Sequence, residues 1–312
     1  MKPEILSVAP MYAPTMERMG RELTVHKLFE ATDRTALLAE VGPRIRGIQG
    51  TGFSPVPAAL IEALPALEII SVFGVGYDGV DAAAAKRRGV ILTNTPDVLN
   101  DCVADLALGL VIATARRLCT GDRFVRAGKW LHGSLPLSTR VSGKRLGILG
   151  LGRIGRTIAK RASGFDMKIA YHSRKRVDAA PFHYYATPVE LAANSDFVVV
   201  ITPGGAETRH LVNEAVMRAL GPKGILVNVS RGSVVDEEAL VKCLREGALG
   251  GAGLDVFEDE PRVPEALFDM DNVVLEPHVG SATHETRMAM GNLTVDNLVA
   301  HFSGKPVLTP VR

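Results

Sequence analysis

The sequence contains little cysteine: Cys102, Cys119 and Cys243 are the only three in 312 residues. They lie far apart and form no CxxC or Cys/His ligand spacing, which argues against a disulfide framework and against a structural zinc site. We therefore expect three reduced thiols packed as small apolar groups, and no bound metal.

The sequence also lacks an excess of charge of one sign and a long hydrophobic run. Its 36 Lys and Arg against 34 Asp and Glu leave a net charge of +2, which gives no basis for binding nucleic acid or an acidic membrane. The longest apolar stretch, residues 102–115, contains Asp105 and is too short to span a bilayer. The apolar run within residues 1–11 is too short for a signal peptide, and it predicts a first strand. We expect a cytoplasmic protein without nucleic-acid or membrane partners.

What the sequence has instead is an alternation of strand and helix patterns, and its length favours two domains. After residue 144, six strands with helices between them are what a dinucleotide-binding sheet requires. The predicted strands are Arg145–Leu149, Lys168–His172, Phe197–Thr202, Ile225–Ser230, Ala252–Val256 and Val273–Glu276. The predicted helices are Ile154–Ala162, Pro188–Asn194, Glu207–Leu220 and Glu237–Glu246. The pattern predicts an α/β fold built on mostly parallel sheets.

A predicted helix over Asn100–Leu118 is apolar on nearly every face. Such a helix is normally buried on all sides. Two explanations stay open, namely burial inside one subunit and burial in an interface between subunits.

A glycine-rich loop, Gly150-Leu151-Gly152-Arg153-Ile154-Gly155, follows an apolar strand and opens a helix. In that context Gly150 permits a tight turn, Gly152 lets the backbone approach a pyrophosphate, and Gly155 lets the helix pack on the strand. The start of the helix offers N–H groups to phosphates. The loop therefore predicts a dinucleotide-binding site.

The end of the next strand indicates which dinucleotide. An NAD enzyme usually places an acid about 20 residues after the loop to bind the ribose 2′-hydroxyl. Here the chain reads Ser173-Arg174-Lys175-Arg176, with a hydroxyl and three cations and no acid. Cations would bind a 2′-phosphate through charge-assisted hydrogen bonds, although a basic run can also be a solvated loop. We favour NADP(H), with NAD(H) as the second choice.

Three residues that suit the reduction of a 2-keto acid follow predicted strand ends: Arg231, Glu260 and His278. An arginine can hold the carboxylate of the substrate, a histidine can donate a proton to the keto oxygen, and a carboxylate keeps that imidazole charged. Taken singly, each of these three residues could have an ordinary structural role instead of a catalytic one. Together they lie beyond the carboxyl ends of strands, where open α/β sheets bind ligands.

The sequence resembles the D-isomer-specific 2-hydroxyacid dehydrogenases from about residue 45 onward, most closely the glyoxylate/hydroxypyruvate reductases and hydroxyphenylpyruvate reductases. The matching motifs are Thr95-Pro96-Asp97-Val98-Leu99, Gly147 to Gly155, Gly253-Leu254-Asp255-Val256-Phe257 and Pro277-His278-Val279-Gly280-Ser281. The resemblance implies Arg231, Glu260 and His278 as the catalytic triad. It also implies that the backbone of Val75 and Gly76 binds the substrate carboxylate, that Arg231 and His278 bind the substrate too, and that Asp255 contacts the nicotinamide carboxamide. The implied cofactor contacts are Gly150, Gly152, Arg153, Ile154, Gly155, Ser173, Arg174, Lys175, Thr202, Pro203, Thr208, Ser230, Asp255 and Gly280.

The resemblance implies an architecture of two doubly wound parallel-sheet domains. A flavodoxin-like substrate domain would comprise residues 1–97 and 285–312, and a Rossmann NADP-binding domain, residues 98–284, would be inserted into it. A homodimer is implied, with the Asn100–Leu118 helix in its interface. Trp130 would then serve a neighbouring active site, or pack in a core or interface.

We therefore expect NADPH-dependent reduction of small 2-keto acids, such as glyoxylate, hydroxypyruvate or phenylpyruvate-type acids, to D-2-hydroxy acids. One alternative is an NAD-linked D-lactate or phosphoglycerate dehydrogenase. A second alternative is a binding protein of the corepressor type, which shares this fold and its triad.

Overall fold

The computed structural model describes residues 2–311, so Met1 and Arg312, to which the predicted domains extend, lie outside the described residues. The chain divides into two compact units. The first unit comprises Met1–Leu99 and Ser281–Arg312, and the second comprises Asn100–Gly280. Each unit is built on one sheet whose paired strands are all parallel, which confirms the predicted fold class.

The first unit has five strands in the order β2-β1-β3-β4-β5, the doubly wound order of flavodoxin-like folds. The strands are β1 (Glu4–Ser7), β2 (Thr24–Lys27), β3 (Gly47–Thr51), β4 (Ile69–Phe73) and β5 (Ile91–Thr93). The helices are α1 (Ala13–Glu22), α2 (Arg34–Val41), α3 (Ala58–Glu62), α4 (Ala82–Arg87) and a C-terminal helix (His284–Phe302), with 3₁₀ turns at Leu28–Glu30 and Gly42–Arg44. Caps fix the helix starts: Asp33 and Asp81 each accept a hydrogen bond from the backbone N–H three residues on.

The second unit has seven strands in the order β12-β11-β10-β9-β6-β7-β8. The strands are β6 (Arg145–Leu149), β7 (Lys168–His172), β8 (His183–Tyr184), β9 (Phe197–Val200), β10 (Ile225–Asn228), β11 (Gly251–Leu254) and β12 (Val273–Leu275). The helices are α5 (Asn100–Arg116), α6 (Leu118–Arg126), α7 (Arg153–Ser163), α8 (Pro188–Ala193), α9 (Glu214–Leu220) and α10 (Glu237–Arg245), with 3₁₀ turns at Lys129–His132, Ala206–Thr208, Gly232–Val234 and Glu265–Leu267. The strand order reverses between β6 and β9, and a dinucleotide-binding sheet binds its ligand at that reversal.

Two predictions about this sheet need correction. The sheet has seven strands and not six, because β8 is only two residues long and leaves no periodic pattern in the sequence. The helix predicted over Glu207–Leu220 is wrong: a single 3₁₀ turn at Ala206–Thr208 is followed by a loop, and α9 begins only at Glu214. His210 adopts a left-handed backbone (φ 49°) between the two, and Asn213 caps α9 by accepting the Val216 N–H.

Helix α5 ends at Arg116 and not at Leu118, because Arg117 adopts a left-handed backbone with φ 53°. One face of α5 is buried within the second unit, where it packs on α7 and on β10 and β11. Burial inside one subunit therefore accounts for that face. The segment that follows, residues 118–137, exposes apolar side chains. Their exposed fractions are 53% for Leu118, 54% for Val125, 69% for Trp130, 86% for Leu131 and 99% for Leu137.

The described helices include none that is both long and apolar enough to cross a membrane.

Candidate active site

The glycine loop after β6 contains a tight turn at Gly150 and a close backbone approach at Gly155. Gly150 has φ 108°, and a Cβ there would lie 2.8 Å from the carbonyl oxygen of Ile201. A Cβ on Gly155 would overlap the carbonyl oxygen of Gly150. Gly150 therefore allows the turn and Gly155 allows α7 to pack against it, because no side chain fits at either position.

Gly152 differs from its two neighbours, because a Cβ there would meet nothing within 4 Å. It is the residue before α7, which begins at Arg153 and continues through Ile154 without a side-chain cap. The first-turn N–H groups of an uncapped helix are available to an anion. Among the described residues, Gly152 thus leaves the space in front of the first turn of α7 open.

Thr202 provides an independent indication of a ligand at the same place. It follows β9, and its backbone nitrogen lies 3.0 Å from a Cβ built on Gly150. Within residues 2–311 its Oγ1 is buried and finds no hydrogen-bond partner. A buried hydroxyl without a partner is costly, so a polar ligand group is expected beside it. The two loops at the strand reversal therefore fit a bound dinucleotide.

The other predicted contacts after β9 lie in one closed loop. Thr208 Oγ1 donates a hydrogen bond to the Pro203 carbonyl at 2.7 Å. The same hydroxyl also lies 3.2 Å from the Gly205 carbonyl oxygen. These contacts stabilise the loop. Pro203 and Thr208 are thus neighbours in space, on the loop next to the glycine turn.

The basic loop lies at the end of β7, as predicted. Ser173 Oγ donates to the Lys175 carbonyl at 2.7 Å, and Arg174 and Lys175 are exposed. The Arg174 guanidinium also pairs with Glu207, with 2.6 Å between Nη1 and Oε2. This acid could not be predicted from the sequence, because Glu207 lies 33 residues further along the chain and only the fold brings it to Arg174.

The two predicted catalytic residues His278 and Glu260 are in direct contact. His278 Nδ1 lies 2.8 Å from Glu260 Oε2, and the other oxygen of Glu260 accepts the Phe257 N–H at 3.1 Å. Burial alone would raise the pKa of the Glu260 carboxyl. The hydrogen bond from His278 and the charges of His278 and Arg231 outweigh burial and hold that pKa below its ordinary value. Glu260 is therefore ionised at neutral pH.

Arg231 follows β10 and is fixed by its neighbours. Its backbone carbonyl accepts a hydrogen bond from Asn228 Nδ2 at 3.0 Å, and Asn228 Oδ1 accepts from the Ser230 hydroxyl at 2.9 Å. The next residue, Gly232, lies so close to the Phe257–Glu258 peptide that a Cβ there would overlap it. This packing, which sequence reasoning missed, joins the Arg231 turn to the loop that carries Glu260.

Asp255 is buried at the end of β11 and holds the His278 loop. Its two carboxylate oxygens accept the N–H groups of Val279 (2.6 Å) and Gly280 (2.9 Å), and its carbonyl accepts the His278 N–H. His278 itself has a left-handed backbone with φ 54°. Burial raises the pKa of Asp255 to about 6, although the two N–H groups and the His278 charge act against the rise.

The predicted substrate residues of the first unit, Val75 and Gly76, lie on the loop after β4. Asn94 Nδ2 donates to the Val75 carbonyl at 2.8 Å, and Thr95 Oγ1 accepts the Gly74 N–H at 3.1 Å. A Cβ on Gly52 would lie 2.6 Å from the Gly76 carbonyl oxygen, so Gly52 is needed for this close approach. The structure thus brings Arg231, Glu260 and His278 together in the second unit, while Val75 and Gly76 belong to the first.

Comparison with known proteins agrees with this geometry. The family described as D-isomer specific 2-hydroxyacid dehydrogenase, NAD binding domain, matches residues 108–280. A hydroxyphenylpyruvate reductase from Plectranthus scutellarioides and glyoxylate/hydroxypyruvate reductase A from Arabidopsis thaliana are each 50% identical over 307 residues, 98% of both chains. The NADPH-dependent glyoxylate/hydroxypyruvate reductase of Sinorhizobium meliloti, solved with NADP and malonate, is 46% identical with a TM-score of 0.94, covering 100% of this chain and 97% of that one.

The fold and the dinucleotide site define an oxidoreductase of the nicotinamide-dependent class. The chain belongs to the D-isomer specific 2-hydroxyacid dehydrogenase family, which confirms the resemblance seen in its motifs.

Proposed function

We propose that this protein reduces small 2-keto acids to D-2-hydroxy acids with NADPH, and that glyoxylate and hydroxypyruvate are its substrates. The observation that carries the proposal is the pair of His278 and Glu260, with 2.8 Å between Nδ1 and Oε2. It stands in a unit whose glycine loop and unpartnered Thr202 hydroxyl fit a dinucleotide. Relatives that share half of its residues are named as reductases of such acids.

NADPH is favoured over NADH by the basic loop at Ser173–Arg176, where NAD enzymes have an acid. Arg174 and Lys175 can bind a 2′-phosphate through charge-assisted hydrogen bonds, beside Ser173, whose hydroxyl donates to the Lys175 carbonyl. The S. meliloti enzyme, similar to this chain over its whole length, is NADPH-dependent.

The glycine loop Gly150–Gly155 and the Thr202 loop would hold the dinucleotide, which when bound would supply hydride chemistry at the keto carbon. Arg231 holds the substrate carboxylate and polarises the adjacent ketone. Because Glu260 is ionised, it accepts a hydrogen bond from His278 Nδ1. This orients the ring so that Nε2 hands its proton to the keto oxygen, and the carboxylate stabilises the imidazolium before transfer.

The test is NADPH oxidation with glyoxylate, hydroxypyruvate and phenylpyruvate by the wild type and by His278→Ala. We expect the variant to bind NADPH normally and to lose at least about a hundredfold in kcat, the usual contribution of a general acid. His183→Ala, at an exposed histidine of the same unit, is the matched control. Full turnover in His278→Ala would refute the assignment.

The same panel separates the alternatives. Preference for NADH, with turnover of pyruvate or a phosphorylated keto acid, would indicate a lactate or phosphoglycerate type of enzyme. Cofactor binding without turnover of any keto acid would indicate a binding protein.

We also propose a cytoplasmic homodimer. The segment of residues 118–137 exposes five large apolar side chains, and exposed apolar side chains concentrated in one segment are typical of an interface. Trp130, 69% exposed, would pack there and not in the core. Light scattering should give a dimer, and Leu131→Glu with Leu137→Glu should give a monomer. Phe268→Glu, at an exposed apolar residue elsewhere in the unit, should not. A monomeric wild type would refute the proposal.

A further inference from the structure

Tyr171 is a buried tyrosine with an unusual pair of hydrogen bonds. It lies on β7 with 1% of its surface exposed. Its hydroxyl accepts a hydrogen bond from the Val177 N–H at 2.9 Å and donates one to the Val177 carbonyl at 3.3 Å. Both bonds thus go to the backbone of a single residue, six positions further along the chain.

The two bonds close the basic loop. The chain leaves β7 after His172, passes through the exposed cations Arg174, Lys175 and Arg176, and returns to Tyr171 at Val177. Inside this closed segment the Ser173 hydroxyl donates to the Lys175 carbonyl at 2.7 Å. The loop has no regular secondary structure, so side-chain bonds such as these contribute to its defined shape.

The hydroxyl is not needed to fill the core. A phenylalanine ring would occupy the same volume, and a buried hydroxyl is costly unless it is hydrogen-bonded. Here both hydrogen bonds of the hydroxyl are made with the loop backbone. Tyr171 therefore acts on the loop that carries the cations, although its side chain points into the unit.

We propose that Tyr171 is a positioning residue for NADPH selectivity: its hydroxyl presets the basic loop for the 2′-phosphate without touching the cofactor. A preset loop loses less conformational entropy when the phosphate binds, and the gain falls on NADPH because NADH has no phosphate at that position. The inference rests on the proposed role of Arg174 and Lys175.

The experiment measures the Kd of NADPH and of NADH for Tyr171→Phe, by titration of the nicotinamide fluorescence. We expect NADPH binding to weaken about tenfold, the factor associated with one hydrogen bond, while NADH binding changes little. Tyr185→Phe is the matched control, because Tyr185 contacts His172 through its backbone carbonyl. An equal loss for both cofactors would mean that Tyr171 only supports the fold, and would overturn the inference.

A double-mutant cycle with Arg174→Ala separates this inference from the assignment on which it rests. If Tyr171 acts through the cations, Tyr171→Phe has a much smaller effect on NADPH binding in the Arg174→Ala background. Fully additive effects would overturn the positioning role while leaving the phosphate site intact. If Arg174→Ala leaves the preference for NADPH unchanged, the phosphate site itself fails, and the inference fails with it.

A second variant covers the case in which Tyr171→Phe no longer folds, shown by the absence of a thermal unfolding transition. Val177→Pro removes the same N–H donor from the other side of the bond and leaves Tyr171 intact. Selective loss of NADPH binding in Val177→Pro supports the inference, and unchanged selectivity overturns it.

Discussion

Arg174 and Glu207 form an ion pair, with 2.6 Å between Nη1 of the arginine and Oε2 of the glutamate. Both side chains are largely exposed, at 80% and 74%, so the pair is weak and a phosphate can displace it. The pair nevertheless places a carboxylate beside the cation that we propose for the 2′-phosphate. Glu207 thus opposes NADPH binding at the residue that should favour it.

The first prediction follows from this opposition. Glu207→Gln should tighten NADPH binding about two- to fivefold, the range for an exposed charge pair, and leave NADH binding nearly unchanged. The Kd values of both cofactors at low and high salt provide the measurement, because the gain should shrink as salt screens the charges. Glu238→Gln, at an exposed glutamate on α10, is the control. A similar change for both cofactors would contradict the interpretation.

The second prediction separates the glycines of the loop. Gly152→Ala should leave the melting temperature unchanged, because its Cβ meets nothing within 4 Å, yet it should weaken binding of both cofactors by obstructing the phosphates. Gly155→Ala should instead destabilise the protein by about 1–3 kcal/mol, because its Cβ overlaps the Gly150 carbonyl. Calorimetry and cofactor titration test both variants. Normal cofactor affinity in Gly152→Ala would show that the cofactor phosphates do not bind beside Gly152.

The third prediction concerns the partner of His278. Glu260→Gln removes the carboxylate that orients the His278 ring through Nδ1, so kcat for keto-acid reduction should fall at least about tenfold while the Kd of NADPH changes little. Asp259→Asn is the control, because this neighbour in the same loop pairs with Arg262 and does not contact His278 in the way Glu260 does. The idea fails if Glu260→Gln keeps the kcat of the wild type.

Much of this site could be predicted from the sequence, because its chemistry lies in short motifs. The glycine loop is one contiguous segment of the sequence. Arg231, Glu260 and His278 each follow a strand that can be recognised from its apolar run. Parallel strands bring their carboxyl ends to one edge, so residues far apart in the chain could be expected to meet there.

The sequence could not show contacts that depend on how the loops pack. Glu207 reaches Arg174 across 33 residues, and Gly232 abuts the Phe257–Glu258 peptide. The false helix at Glu207–Leu220 has the same origin. Its first half is drawn into backbone hydrogen bonds with the Arg231 turn, such as the one from His210 N–H to the Ser233 carbonyl, and periodicity carries no information about those bonds.

The last prediction concerns Asp255, whose pKa is raised to about 6 from an ordinary value of 3.8. Because the folded state binds this proton more tightly than the unfolded chain does, its stabilising contribution is complete below the unfolded pKa. It is lost as pH rises through about 6. Asp255→Asn cannot titrate, so the melting temperature of the wild type should fall relative to that of the variant between pH 4.5 and 7. Calorimetry of the cofactor-free proteins at several pH values gives the difference, with Asp269→Asn, exposed in the same unit, as control. A difference that stays constant across this range would show that Asp255 is charged in the folded protein throughout, held so by the Val279 and Gly280 N–H groups.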